Sequence, residues 1–269
     1  MSADRIMSAR RLDIRRFGAI NGLGLATLVK REASRGLADY NYQILGPVVT
    51  ALLYLAVFRL ALHGDDSGKA LIDFIAPGLI IFSACEKAYE SAAGSFIFDK
   101  HERIIADMLM APLTALERLL GYVGADCLGG LAVGVAVAAV CFIFADLGAA
   151  HPWAILVFGL LGMSLHSLIG VLVGIWAEKW DHFSAMHTFL LVPLSFLSGV
   201  FYPIEALPKA AQAAMHFNPL FHVIDGFRYG VTGQNAGDPL IHVLVLVGVN
   251  LVLGWWAFRW FRSGYKLKP

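Results

Sequence analysis

Long apolar runs alternate with short polar intervals along this chain, and their lengths set the first expectation. A helix needs about 20 mostly apolar residues to cross ~30 Å of hydrocarbon. Six stretches qualify: 40–62, 71–94, 118–145, 152–177, 183–202 and 240–261. Trp153 and Trp176 bracket the fourth, roughly 35 Å apart along a helix, as two interfacial aromatic belts would be. Trp255, Trp256 and Trp260 mark one end of the last. The pattern predicts an all-α integral membrane protein with six transmembrane helices.

Three segments break the pattern. The stretch 99-DKHERIIADMLMAPLTALERL-119 holds eight acidic, basic and imidazole side chains between two apolar runs. Read as a helix, 101–110 places Ile105, Met108 and Leu109 on one face, with Glu102, Arg103, Ala106 and Asp107 mostly on the other flank. Pro112 then stops it. Two readings are open: an interfacial helix lying in the headgroups, or a docking element that presents Met and Leu to a partner. Upstream, Ile20, Leu23, Leu28 and 30-KREASR-35 predict an amphipathic helix leading into the first span. The third segment, 198–239, is too long for an ordinary loop and too polar for a span. Pro203, Pro208 and Pro219 cut it into pieces, of which 208–217 and 219–230 read as short helices. Asp225 and Arg228 lie within reach of each other on the second. Short helices at that depth must be packed on protein, so that their ends stay satisfied.

Composition supports a membrane setting. Of 269 residues, 58% are hydrophobic and only 15% charged, against roughly a quarter in soluble domains. Net charge is +1, so the location of the charges matters more than their sum. Arg5, Arg10, Arg11, Arg15, Arg16, Lys30, Arg31 and Arg35 precede the first span. Lys100, Arg103 and Arg118 fall in the second loop, Lys179 in the fourth, and Arg262, Lys266 and Lys268 in the tail. The other side holds Lys69, Lys209 and Arg228. Positive residues mark the cytoplasm, so both termini and the 99–112 stretch are expected inside. The weakly apolar 17–29 leads into 30-KREASR-35 without a small-residue cleavage site, which reads as a retained segment and not a signal peptide. Cys85, Cys127 and Cys141 all lie in apolar runs, and neither their number nor their spacing suits a disulfide framework or a zinc site.

Candidate chemistry is sparse. No G-x-x-x-x-G-K-[ST], H-E-x-x-H or G-x-S-x-G occurs, so no ATPase site, metal pair or catalytic constellation is expected, and nothing points to nucleic acid. Glu86, Lys87, Glu90 and Asp126 fall inside apolar spans, where an unpaired charge costs kilocalories. Lys87 is expected to pair with Glu90 or with Asp126. A proton or substrate role for these four keeps an ion-coupled secondary carrier open as an alternative function. His166 stands alone mid-span. Gly130-x-x-x-Gly134 and Gly170-x-x-x-Gly174 permit close helix packing, within one bundle or between subunits. Phe189, Phe196 and Phe201 suit either an amphiphile path or core packing.

The run SGVFYPIEALP…FNPLFHVIDGFRYG, with 77-PGLI-80 and 109-LMAPLT-114, resembles the membrane (permease) subunits of type-2 ABC exporters, in the YadH-like branch with NodJ-like lipo-oligosaccharide exporters nearby. The likeness spans essentially the whole chain. It implies a cytoplasmic N-terminus with an interfacial helix in 1–39, a six-span domain over 40–262, and a cytoplasmic tail over 263–269. Within the domain it implies a coupling helix at about 99–112 and an extracytoplasmic re-entrant hairpin at about 203–237, before the last span. Two such subunits, set in membrane lipid, would pair with two copies of a separate ATPase that binds Mg-ATP, this chain needing no cofactor of its own. Carried across, Glu102, Arg103, Asp107, Met108, Leu109, Ala111 and Pro112 form the coupling element, and Arg31, Glu32 and Arg35 the charged end of the interfacial helix. Gly199, Tyr202, Pro203, Pro208, Asn218, Pro219, Asp225 and Arg228 carry the re-entrant signature. The family often shows two adjacent acidic residues where this chain has Ala106-Asp107, which implies fewer charge contacts to the ATPase. Exported classes in such families include lipid-linked glycans, lipo-oligosaccharides, lipids and drugs.

Overall fold

The computed structural model describes residues 20–38, 40–61, 66–234 and 236–267. Arg5, Arg10, Arg11, Arg15, Arg16 and Lys268 lie outside them. The described residues are all-helical: α1 (Gly22–Ala38), α2 (Tyr40–Gln43), α3 (Leu45–Ala61), α4 (Asp66–His101), α5 (Ile105–Met110), α6 (Ala115–Phe144), α7 (Pro152–Trp176), α8 (Trp180–Met186), α9 (Val192–Phe196), α10 (Lys209–Met215), α11 (Pro219–Thr232) and α12 (Pro239–Ser263). Five segments are long and apolar enough to span: Asn41–Leu60, Gly68–His101, Ala115–Phe144, Pro152–Trp176 and Pro239–Ser263.

Local chemistry sets the helix ends. Thr114 and Glu117 form a capping box at the start of α6, each side chain serving the other's backbone amide. Pro152, Pro219 and Pro239 open α7, α11 and α12 at first-turn positions, where a missing amide hydrogen leaves no bond unmade. Asn218 and Asp238 cap the last two, and Gly233 and Gly264, both at positive φ, end them.

The expected span at 183–202 differs. There the chain forms α8, a π-helical turn at His187–Leu191, and α9, ending at Phe196. Pro193 has no amide hydrogen to give to the carbonyl four residues back. The Val192 amide reaches back five residues to His187 O, and the helix widens there. Ser195–Ser198 and Gly199, at φ 77°, then close it.

Helix α4 is the central post, packed on α6 and α7. Small residues let the backbones meet: a Cβ at Gly130 would stand 2.5 Å from Ala84 O, one at Gly170 2.6 Å from Tyr89 O, and one at Gly174 2.9 Å from Phe96 Cβ. Both GxxxG pairs thus serve packing within one bundle. At one end of the post, Lys100 Nζ gathers the terminal carbonyls of α7: Gly174 at 3.0 Å, Ala177 at 2.9 Å, and Ile175. At the other end, Arg228 of α11 bonds Phe74 O and Gly199 O. The segment from Glu178 to Gly199 therefore runs from the Lys100 end of the bundle to the Phe74 end.

Candidate functional site

At the Lys100 end, α1, the foot of α4, α5 and the start of α6 make one assembly. Arg103 adopts a left-handed conformation, φ 59°, which swings the chain out of α4 and starts α5 in a new direction. Ala111, held extended ahead of Pro112, ends α5 after six residues. Arg118 binds the orphan carbonyls there, its NH2 lying 2.7 Å from Leu109 O and 3.1 Å from Ala111 O. Asn21 donates from Nδ2 to Pro112 O at 3.0 Å and from its backbone to Glu117 Oε1 at 2.5 Å. Three elements are thus bolted around the short helix.

Helix α1 is held by charge. Asp99, fully buried, accepts from Arg31 at 2.7 Å and Arg35 at 2.8 Å; buried Glu32 faces the same two guanidiniums at 3.3 and 3.6 Å and accepts from Ser95 at 2.8 Å. Burial alone would lower the Arg31 pKa, but Glu32 and Asp99 outweigh it and hold it above its ordinary value. Leu28 completes the contact, in one apolar cluster with Ile105, Met108, Leu119 and Tyr122. Between α1 and α5 an apolar cleft of about 420 Å³ stays open, lined by Leu23, Gly24, Thr27, Asp107, Pro112 and Leu113 among others.

The expected amphipathic division is present here, with a different consequence. Ile105 and Met108 are buried, Leu109 is half-buried, and Glu102, Arg103, Ala106 and Asp107 are exposed. Met108 packs inward toward α1 and lines the open cleft beside it. The outward apolar knob is Met110, 75% exposed, beside exposed Pro112 and half-buried Ala111.

The segment after α9 forms a second assembly at the Phe74 end. Tyr202 donates to Phe196 O at 3.0 Å, and Asn218 both caps α11 and donates to Leu194 O at 2.8 Å. Pro203 precedes a 3-10 turn at Ile204–Ala206, and Pro208 precedes α10. Helix α11 is buried along nearly all its length against α4, α7 and α12. Arg228 lies over the Phe74 ring at 3.7 Å and 3.8 Å from Asp225.

Residues 24–232 match the family described as ABC-2 type transporter. The chain is 36% identical over 242 residues to the inner membrane transport permease YadH of Escherichia coli strain K12, covering 87% of this chain and 94% of that one. It is 30% identical over 215 residues to nodulation protein J of Rhizobium leguminosarum bv. viciae, covering 76% and 80%. The chain belongs to the ABC-2 transporters. It is a multi-pass membrane protein and a transport component of that family, as the resemblance implied.

The intramembrane charges of this ABC-2 permease each have polar company: Lys87 acts electrostatically on both Glu90 and Asp126. Lys87 reaches Gln43 Oε1, Glu86 contacts His187, and Asp126 accepts from Ser167 at 2.7 Å, while Glu90 is exposed. The π turn in front of Pro193 puts His187 beside Glu86. His166 Nδ1 lies 3.0 Å from Gly162 O, inside its own helix. Asp99, Glu117, Asn21, Arg118 and Met110 were not singled out by the sequence, although they build the assembly at the Lys100 end. A Thr-x-x-Glu ahead of an apolar run was the one local sign available.

Proposed function

We propose that this ABC-2 permease is the membrane half of an ATP-driven exporter, in which two copies form the passage and two copies of a separate ATPase, loaded with Mg-ATP, work it. The observation that carries this reading is the braced α5. A six-residue helix tied at its end by Arg118 and Asn21, and backed by α1, transmits displacement without bending. It offers Glu102, Arg103, Asp107, Met110 and Pro112 outward. Nucleotide binding favours one arrangement of the ATPase pair, and the docked element passes that bias to the spans.

The Lys100 end is cytoplasmic in this reading. Arg31, Arg35, Lys100, Arg118 and Lys266 gather there, and positive residues favour that side. The run Glu178–Gly199 then counts as a sixth crossing, which supports two cytoplasmic termini and makes the α10–α11 hairpin extracytoplasmic and re-entrant. The substrate in this reading is an amphiphile: Phe189 is 81% exposed, and the half-exposed Phe196 stacks on Phe201, which leaves aromatic surface on this segment for an apolar chain.

Co-expression with the companion ATPase tests the reading. The pair is expected to co-purify, with Asp107→Arg and Met110→Asp abolishing transport while the bundle stays folded. Full transport by the purified chain alone would end it.

A further inference from the structure

Helix α12 buries one face and leaves the opposite one uncovered. His242, Leu246, Ala257 and Phe261 point into the bundle and are buried. Leu244, Leu251, Val252, Trp255, Arg259 and Arg262 are all exposed. With successive residues about 100° apart, these six fall within about 50° of the direction opposite the buried four. The outward face changes character along the axis: aliphatic up to Val252, then Trp255, then two arginines. The arginines stand at the Lys100 end, where Lys266 bonds Trp176 O at 3.2 Å.

The spacing of these side chains matches one leaflet of a bilayer. Leu244 to Trp255 covers about 16 Å of helix, and Trp255 to Arg262 about 10 Å. A leaflet supplies about 15 Å of hydrocarbon and then its headgroup layer. Beside the arginines lies an open hollow of about 860 Å³, walled by Trp256, Trp260 and Tyr265. Trp256 and Trp260 meet edge to face at 5.6 Å, and Tyr265, following left-handed Gly264, packs on Trp260 at 4.7 Å. Arg259 lies over the Trp255 ring, 5.6 Å from its centre.

Other cations at this end are already engaged: Arg31 and Arg35 by Asp99, Lys100 and Arg118 by carbonyls, and Lys266 by Glu178. Among the described residues, Arg259 and Arg262 have neither a carboxylate partner nor a hydrogen bond. The helix dipole favours a cation in the last turn, but it requires neither the ring under Arg259 nor the aromatic hollow. We propose that Trp255, Arg259 and Arg262 seat one anionic glycerophospholipid from the leaflet at the Lys100 end. Its phosphate is held between the two guanidiniums, whose forked N–H groups suit phosphate oxygens. Its glycerol region rests on Trp255, and an acyl chain follows Val252, Leu251 and Leu244. Gly248 lies on the same face with nothing within 4 Å of where a Cβ would be, which leaves that chain room. A zwitterionic lipid would bring its own cation back beside the arginines, so the seat selects net negative charge. It needs neither ATP nor a second subunit.

Native mass spectrometry of the full chain in detergent, titrated with phosphatidylglycerol or with phosphatidylcholine of the same acyl chains, tests the proposal. The natural sequence is expected to retain one phosphatidylglycerol more tightly than phosphatidylcholine, by a factor on the order of ten for two basic side chains. Arg259→Gln with Arg262→Gln is expected to remove that preference while the unfolding midpoint without added lipid stays unchanged, both side chains being exposed. Trp255→Leu keeps apolar bulk, removes the ring under Arg259, and is expected to weaken retention several-fold. The control Lys30→Gln with Lys179→Gln removes two other exposed charges and is expected to keep the full preference. Equal retention of the two lipids, a preference unchanged in either seat variant, or an equal loss in the control overturns the proposal. So does displacement of the bound lipid by inorganic phosphate, which would mark a free-anion site, or by the companion ATPase, which would assign this face to coupling.

Discussion

Replacing Gly170 by alanine puts the packing of α4 on α7 to a numerical test. The added Cβ would stand 2.6 Å from Tyr89 O, 2.7 Å from Ala92 Cβ and 3.2 Å from Tyr89 Cα. Ordinary contact begins at 3.4 Å, so the two backbones are roughly 0.8 Å too close for a methyl group, and neither can rotate away as a side chain would. Overpacking of this kind costs about 1–3 kcal/mol, which lowers a thermal midpoint by a few degrees to about 10 °C. The control is Gly129→Ala, whose Cβ meets nothing nearer than Lys87 Cε at 3.7 Å. It is expected to be neutral or slightly stabilising, since alanine is the better helix former. Both variants are read by thermal unfolding in nanodiscs, with transport measured alongside. Equal midpoints for Gly170→Ala and Gly129→Ala would refute the claim that helix contact requires glycine at position 170.

Further outcomes follow from the two assemblies. Arg118→Ala leaves the Leu109 and Ala111 carbonyls unpaired, and is expected to lower ATPase-coupled transport several-fold with the unfolding midpoint little changed; unaltered coupling would show that α5 needs no brace. Asp99→Asn removes the partner of two partly exposed arginines, a loss of about 1–3 kcal/mol, and is expected to raise proteolysis within α1 selectively; a protease pattern like that of the natural sequence refutes it. Glu178, outside the spans, has its pKa held below the ordinary carboxylate value by a hydrogen bond from Lys266. Its contribution is present at neutral pH and is lost as pH falls through that depressed value. Because the pair is exposed, Glu178→Gln is expected to leave the midpoint unchanged between pH 5 and 8, and a clear drop would contradict its placement.

The apolar lengths made five of the long helices legible, and the charge pattern made the 99–112 interruption legible. What stayed hidden depends on distance along the chain. Asp99 reads as one charge in a solvated run until α1 lies across it. Arg103 carries no sign of its left-handed turn, and that turn decides that Met108 faces inward while Met110 faces out. Pro193 was readable, because a proline inside an apolar run announces a break; length alone made 183–202 look like an uninterrupted span. The carboxylates considered for Lys87 do act on it electrostatically, but its contact with the amide of Gln43, across more than forty positions, had no local sign.

Helix α4 runs for 36 residues, about 54 Å, and so reaches from the Asp99 network to the Phe74–Arg228 joint. Pro77 sits inside it, about a third of the way from the Phe74 end, and the backbone hydrogen bond missing there makes one weak vertebra in an otherwise stiff spine. On the coupling proposed above, a push at the foot is expected to carry the helix up to Gly78 as one lever arm, with the tip following α11 and the Gly199 turn through the flexure at Pro77.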